Sequence, residues 1–193
     1  MKVVAFNGSP REKGNTFQSL TVVLEELRKE GIETELIQVG GKSIHGCTAC
    51  YKCFKNKDRE CALKDDELNS YLKKMIEADG IIIGSPVYFS NVSSEVKALI
   101  DRAGFVARAN DNVLKRKVGA AVVSVRRAGA TFAFSAINFF FFIHEMIVPG
   151  SSYWNLAIGR EPGEVLKDEE GMQTFKTLGQ NMAWVLKKIN FKS

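Results

Sequence analysis

The stretch GIIIGSP, Gly80–Pro86, decides the fold. It is a short apolar strand that runs straight into a turn, the mark of a sheet buried on both faces. Working outward, KVVAF (Lys2–Phe6), TELIQV (Thr34–Val39) and KVGAAVVSV (Lys117–Val125) have the same character, and IVPG (Ile147–Gly150) reads as a weak fifth strand. Helical periodicity fills the gaps. Phe17, Leu20, Val23, Leu24 and Leu27 recur at helical spacing before Gly31 closes that segment. Further helices read over Asp65–Ala78, Ser93–Ala107 (capped by Ser93 or Ser94), Ala133–Met146 and Asp168–Ile189.

Strands and helices therefore alternate, which implies a parallel sheet with helices on both faces. Five such strands predict an α/β, flavodoxin-like three-layer sandwich with strand order 2-1-3-4-5. A sheet of that order takes its ligand at the carboxyl ends of strands 1 and 3, where the winding reverses. A length of 193 residues suits one domain over 1–193, with a cysteine-rich insertion at about 40–64 and a C-terminal extension at about 150–193.

Apolar residues make up 45% and charged residues 25% of the chain, ordinary for a soluble globular protein. The longest apolar run, Phe132–Ile143, falls short of the roughly 20 residues of a membrane span. The N-terminus, MKVVAFNGSP, lacks a signal-peptide pattern, so a cytoplasmic protein without a membrane partner is expected. The net charge of +5 is mild and scattered, which argues against nucleic acid as a partner.

Three loops at the expected carboxyl edge carry more than a connection needs. After strand 1, GSPREKGNT places Gly8 and Gly14 where the backbone must turn, with Ser9, Asn15 and Thr16 as side-chain donors at a helix N-terminus. The spacing is neither a Walker loop nor G-x-G-x-x-G, so a phosphate is expected but nucleotide hydrolysis is not. A capped helix after a plain turn would also account for these residues. After strand 3, GSPVYFSNVSS offers Tyr88 and Phe89 to a planar ring and the Val87–Asn91 backbone to its edge; Phe89 as a core residue is the alternative. After strand 4, SVRRAGA brings Arg126 and Arg127 to the rim, for an anionic ligand or as solvated arginines.

GSPREKGNT, GSPVYFSNVSSEVKALIDR and IVPGSSYWN…GREPGEV…DEEGM together resemble the NADPH-dependent FMN reductase and iron-sulfur flavoprotein group of the flavodoxin-like superfamily. The resemblance covers essentially the whole chain. It implies an FMN phosphate held by Ser9, Arg11, Gly14, Asn15 and Thr16. It implies an isoalloxazine cradled by Pro86, Val87, Tyr88, Phe89, Ser90 and Asn91, with Ser124 to Gly129, including Arg126 and Arg127, completing the site. It also implies a homodimer or homotetramer.

All four cysteines, Cys47, Cys50, Cys53 and Cys61, fall within GCTACYKCFKNKDREC, Gly46–Cys61. The spacing C-x2-C-x2-C-x7-C places thiolates around one small object, and four from one loop can wrap a [4Fe–4S] cluster. The iron-sulfur flavoproteins resembled here carry a compact cysteine motif in this position. Zinc, unliganded reduced thiols and a handling-induced disulfide remain open; zinc sites more often pair two knuckles about 12–20 residues apart. Lys52, Lys55, Lys57 and Arg59 suit any reading with thiolates. His45 reads as a surface residue, His144 as structural, and no acid–base or nucleophile constellation competes.

The expected function is an FMN-dependent oxidoreductase, an iron-sulfur flavoprotein passing electrons between FMN and the cluster. The alternatives are a cluster-free NAD(P)H-dependent FMN or quinone reductase, and a non-enzymatic flavin or metal redox sensor or electron carrier. No nicotinamide motif is visible, which leaves NAD(P)H and a protein donor such as ferredoxin both open. The partner is a small molecule or a redox protein. The Phe139–Phe142 run exposes apolar surface on more than one helix face, toward a subunit interface or beneath the C-terminal segment.

Overall fold

In the computed structural model, which describes residues 1–189, five parallel strands pair in the order β2-β1-β3-β4-β5. They are β1 (Lys2–Asn7), β2 (Glu33–Gln38), β3 (Gly80–Pro86), β4 (Val118–Val125) and β5 (Leu156–Ile158). The central strands β3 and β4 are buried along almost their whole length, which explains their unbroken apolar sequence.

Side chains alternate across the strands, so each strand feeds two cores. Val3 and Ala5 of β1, with Ile82 and Val122, pack under α1 (Asn15–Lys29) and α6 (Glu169–Ile189) through Leu20, Leu24, Phe175 and Met182. Val4 and Phe6, with Ile81, Ile83 and Ala121, pack on the other face against Leu72, Leu99 and Phe141. Those residues come from α3 (Leu68–Glu77), α4 (Ser94–Ala109) and α5 (Ala130–Ile143). A further short helix, α2 (Lys52–Asn56), lies inside the cysteine loop. Among the described residues no helix is long and apolar enough to cross a membrane.

The fifth strand is not where the sequence placed it. Ile147 of IVPG makes only an isolated bridge to Val118, and Pro149 has no N–H to continue a ladder. β5 forms instead from Leu156–Ile158, inside the stretch read as a C-terminal extension. Residues 150–189, read as an extension, supply β5 and α6. The helix expected from Asp65 begins at Leu68, because the Asp66 carboxylate accepts from the Leu68 N–H at 3.2 Å and shapes a turn first. The helix expected from Ala133 begins at Ala130, immediately after Gly129 at φ +85°. Ser93 is the α4 cap, its Oγ accepting from the Val96 N–H at 3.4 Å. Within the phenylalanine run, Phe140 and Phe141 are buried while Phe139 and Phe142 are exposed.

Candidate functional site

The carboxyl ends of β1, β3, β4 and β5 open into a cleft of about 420 Å³. It is lined by Ser9, Arg11, Asn15, Thr16, Pro86, Val87, Tyr88, Ser124 and Arg126, all singled out from the sequence. Gly159, Arg160 and Glu161, from the segment after β5, complete the wall.

The loop after β1 is fixed by side chains the sequence reading passed over. Asn7 Oδ1 accepts from the Ser9 N–H at 3.2 Å, and Asn7 Nδ2 donates to Gln38 Oε1 at 2.7 Å. Gln38 in turn donates to the carbonyls of Ser9 and Gly40 at 2.7 and 2.6 Å. Gly8 must lack a side chain, since a Cβ there would lie 2.1 Å from Val96 Cγ2 and 2.7 Å from the Gly84 carbonyl oxygen. Gly14 precedes α1 with extended backbone and no side-chain cap, so the first-turn N–H groups stay available to an anion. Ser9 Oγ accepts from the Arg11 N–H at 3.2 Å and keeps its own proton to donate.

The Asn15 side chain has protein partners at the wall of the cleft. Its Nδ2 donates to the Gly159 carbonyl at 3.0 Å and its Oδ1 accepts from the Gly163 N–H at 2.9 Å. The amide is engaged in holding the Gly159–Gly163 segment at the cleft. Glu164 accepts from the N–H groups of Arg160 and Glu161 at 2.8 and 2.9 Å, which holds its carboxyl below its ordinary range and fixes the same segment.

After β3 the chain makes a tight turn. Tyr88 and Asn91 exchange backbone hydrogen bonds at 2.9 and 3.0 Å, with Phe89 and Ser90 both left-handed, as in a type I′ turn. Tyr88 reaches the cleft, and Phe89 is fully exposed, so it is not a core residue. Ser90, Asn91, Arg127 and Gly129 lie outside the lining as well. Ser90 packs on Gly129, where a Cβ would lie 2.6 Å from Ser90 Oγ; the two loops brace each other there.

All four cysteines line one small separate cavity, together with Tyr51, Arg102 and Phe105. The loop reaches this arrangement through left-handed backbone at Ala49, Tyr51, Lys57 and Arg59, each costing about 1 kcal/mol or more. Cys47 and Cys50 are exposed, Cys61 is half-buried and Cys53 is buried. The backbone N–H of Lys52 is the main influence lowering the Cys50 thiol pKa, whereas burial pushes that of Cys53 up. Tyr51 and Phe54 each meet Phe105 edge-on at ring separations of 6.0 and 6.3 Å beside them, and are tilted to one another at 6.0 Å. Among the described residues, the ligand atoms that gather within 4.8 Å are those of His45, Asp65 and Asp66, with no cysteine sulfur in the group.

Residues 1–161 match the family described as NADPH-dependent FMN reductase. The chain belongs to the NADPH-dependent FMN reductase family. This member is 39% identical to an iron-sulfur flavoprotein of Methanocaldococcus jannaschii over 98% of this chain and 99% of that one. It is 34% identical to an iron-sulfur flavoprotein of Methanosarcina thermophila over 98% and 97% of the two chains. Among solved structures, RosB with a bound riboflavin-phosphate intermediate superposes with a TM-score of 0.74 at 18% identity, covering 98% of this chain and 80% of that one. An archaeal flavodoxin superposes at 0.61, also 18% identical, over 97% and 99%. This reductase-family chain is thus an FMN redox protein of the flavin oxidoreductase kind on a flavodoxin-like fold.

The family member's least legible site residue is Arg102. It lies on the buried stripe of α4 with Val96, Leu99 and Val106, where the sequence has otherwise apolar side chains. A cation on such a stripe is the signal that marks it.

Proposed function

We propose that this protein is an iron-sulfur flavoprotein, binding FMN in the β1–β3–β4–β5 cleft and a [4Fe–4S] cluster on Cys47, Cys50, Cys53 and Cys61. The observation that carries the reading is the convergence of all four thiols on one cavity, within the loop that leaves the carboxyl end of β2. When bound, FMN takes up two electrons or a hydride and releases electrons singly, and a cluster passes one at a time.

The chain's own residues fit those groups. The uncapped α1 N-terminus, Ser9, Thr16 and Arg11 suit a phosphate at one end of the cleft. Pro86, Val87 and Tyr88 wall the other end, where a flat ring would lie, and Arg126 leaves positive charge for an anionic ligand, whereas Arg160 is paired with Glu161 at 3.4 Å. The thiol set is all sulfur, the donor chemistry of iron–sulfur clusters. The electron donor is NAD(P)H or a protein such as ferredoxin, and the acceptor a small molecule or redox protein. A cluster-free NAD(P)H-dependent reductase is the second reading, favoured by the family's own description and by the positive cleft rim. We extend the proposal to a homodimer or homotetramer, supported by Phe132, Phe139, Phe142 and Ile143, which are 58–67% exposed on α5.

The deciding experiment is anaerobic purification or reconstitution, followed by counting FMN, iron and sulfide per chain. About four irons with matching sulfide support the proposal, and FMN without iron or sulfide sinks the cluster. Cys50→Ser should abolish the iron–sulfur absorbance and leave FMN bound.

A further inference from the structure

Arg102 projects from the middle of α4 and is 1% exposed. Its charge is met by Asp66, through an ion pair in which both side chains are fully buried. That pairing uses one N–H of the guanidinium, and three more reach elsewhere. Nη1 also donates to the His45 carbonyl at 3.1 Å, and Nη2 donates to the Leu63 carbonyl at 3.0 Å. Nε donates to Cys61 Sγ at 3.3 Å.

These contacts are not those of a plain ion pair. His45 lies two residues before Cys47, and Leu63 two residues after Cys61, so one rigid fork holds both flanks of the cysteine segment. Asp66 reinforces the first flank by accepting from the His45 N–H at 3.0 Å. Cys61 is the outlying cysteine of the C-x2-C-x2-C-x7-C spacing and the one with most chain to order. Its backbone is pinned by Asn69, which accepts from the Cys61 N–H at 2.7 Å and donates to its carbonyl at 3.0 Å. Arg102 sets the sulfur itself.

We propose that Arg102 is the positioning residue of the four-cysteine loop, clamping both its flanks and aiming an N–H at the Cys61 sulfur. The part concerning the sulfur rests on the cluster reading above. A donor aimed at a ligating thiolate stabilises the more negative, reduced state, so the Arg102 N–H raises the reduction potential of a cluster bound there. The clamp does not need the cluster: it orders residues 45–63 by itself.

The test compares wild type, Arg102→Lys and the double variant Asp66→Asn/Arg102→Gln. The first substitution keeps the charge without the fork; the second removes both buried charges together, so that neither is left unpaired. Far-UV circular dichroism checks that each variant folds. Amide hydrogen exchange across residues 45–63 should accelerate at least tenfold in both variants, with β3 and β4 unchanged. In the reconstituted double variant the cluster's reduced-to-oxidised ratio at fixed poise should fall about tenfold, which is about 59 mV for one electron. Unchanged exchange overturns the proposal. Faster exchange with an unmoved potential also overturns it, since a merely structural arginine would behave that way. If wild type takes up no iron, the cluster reading has failed, and the exchange comparison alone decides the clamp.

Discussion

His144 shows how much one buried side chain can impose. It is 1% exposed, and its Nδ1 meets Asn112 Oδ1 at 2.7 Å, the histidine nitrogen donating when the ring is neutral. Burial, with the nearby positive charge of Arg108, lowers its pKa to about 4. An unfolded histidine titrates near 6.5, so between about pH 6.5 and 4 the unfolded chain holds the extra proton. Stability is therefore complete above that window and lost as pH falls through it, by up to about 3 kcal/mol. Urea midpoints at pH 7 and 4.5 should show the loss, and His144→Gln should flatten this part of the slope. Asn15 gives a second prediction. Asn15→Ala strips the partners from the Gly159 carbonyl and the Gly163 N–H, and FMN binding should weaken about tenfold, read by flavin fluorescence titration.

Individual elements differ in how openly the sequence declares them. β3 and β4 were legible because burial on both faces demands an unbroken apolar run, which is local information. β5 was not, because three residues hold their place through pairing with Val123–Val125, more than thirty positions away, and IVPG looked the better strand by composition. Of the candidate site, the glycine and hydroxyl residues after β1 were readable from turn chemistry. The engagement of Asn15 and the exposure of Phe89 depend on where distant segments pass. α5 carries the sharpest contrast between neighbours. Phe141 is fully buried against the sheet, so Phe141→Ala should cost about 3–5 kcal/mol and lower the melting temperature by roughly 10 °C in calorimetry.

Across the whole molecule, the parallel sheet sends four of its loops to a single edge, and the family's chemistry follows from what those loops carry. The opposite concern is the outer face of α5, where large apolar side chains stand in water. If that face is covered by a second copy, Phe139→Glu with Ile143→Glu should shift light-scattering mass toward the monomer while leaving far-UV dichroism unchanged. An unchanged mass in the double variant would locate assembly elsewhere.

The Asn15 amide joins positions 144 and 148 residues apart along the chain. A pocket bounded by such distant segments has no partial form: until the later segment has folded back, the earlier loop has only half a wall. Ligand binding then acts as an inspection of completed folding, rewarding finished molecules alone. A ligand at a hundred times its dissociation constant adds about 2.7 kcal/mol to the folded state and nothing to chains that have yet to close. Resistance to proteolysis should therefore track flavin supply, giving the cofactor a second role as the molecule's chaperone.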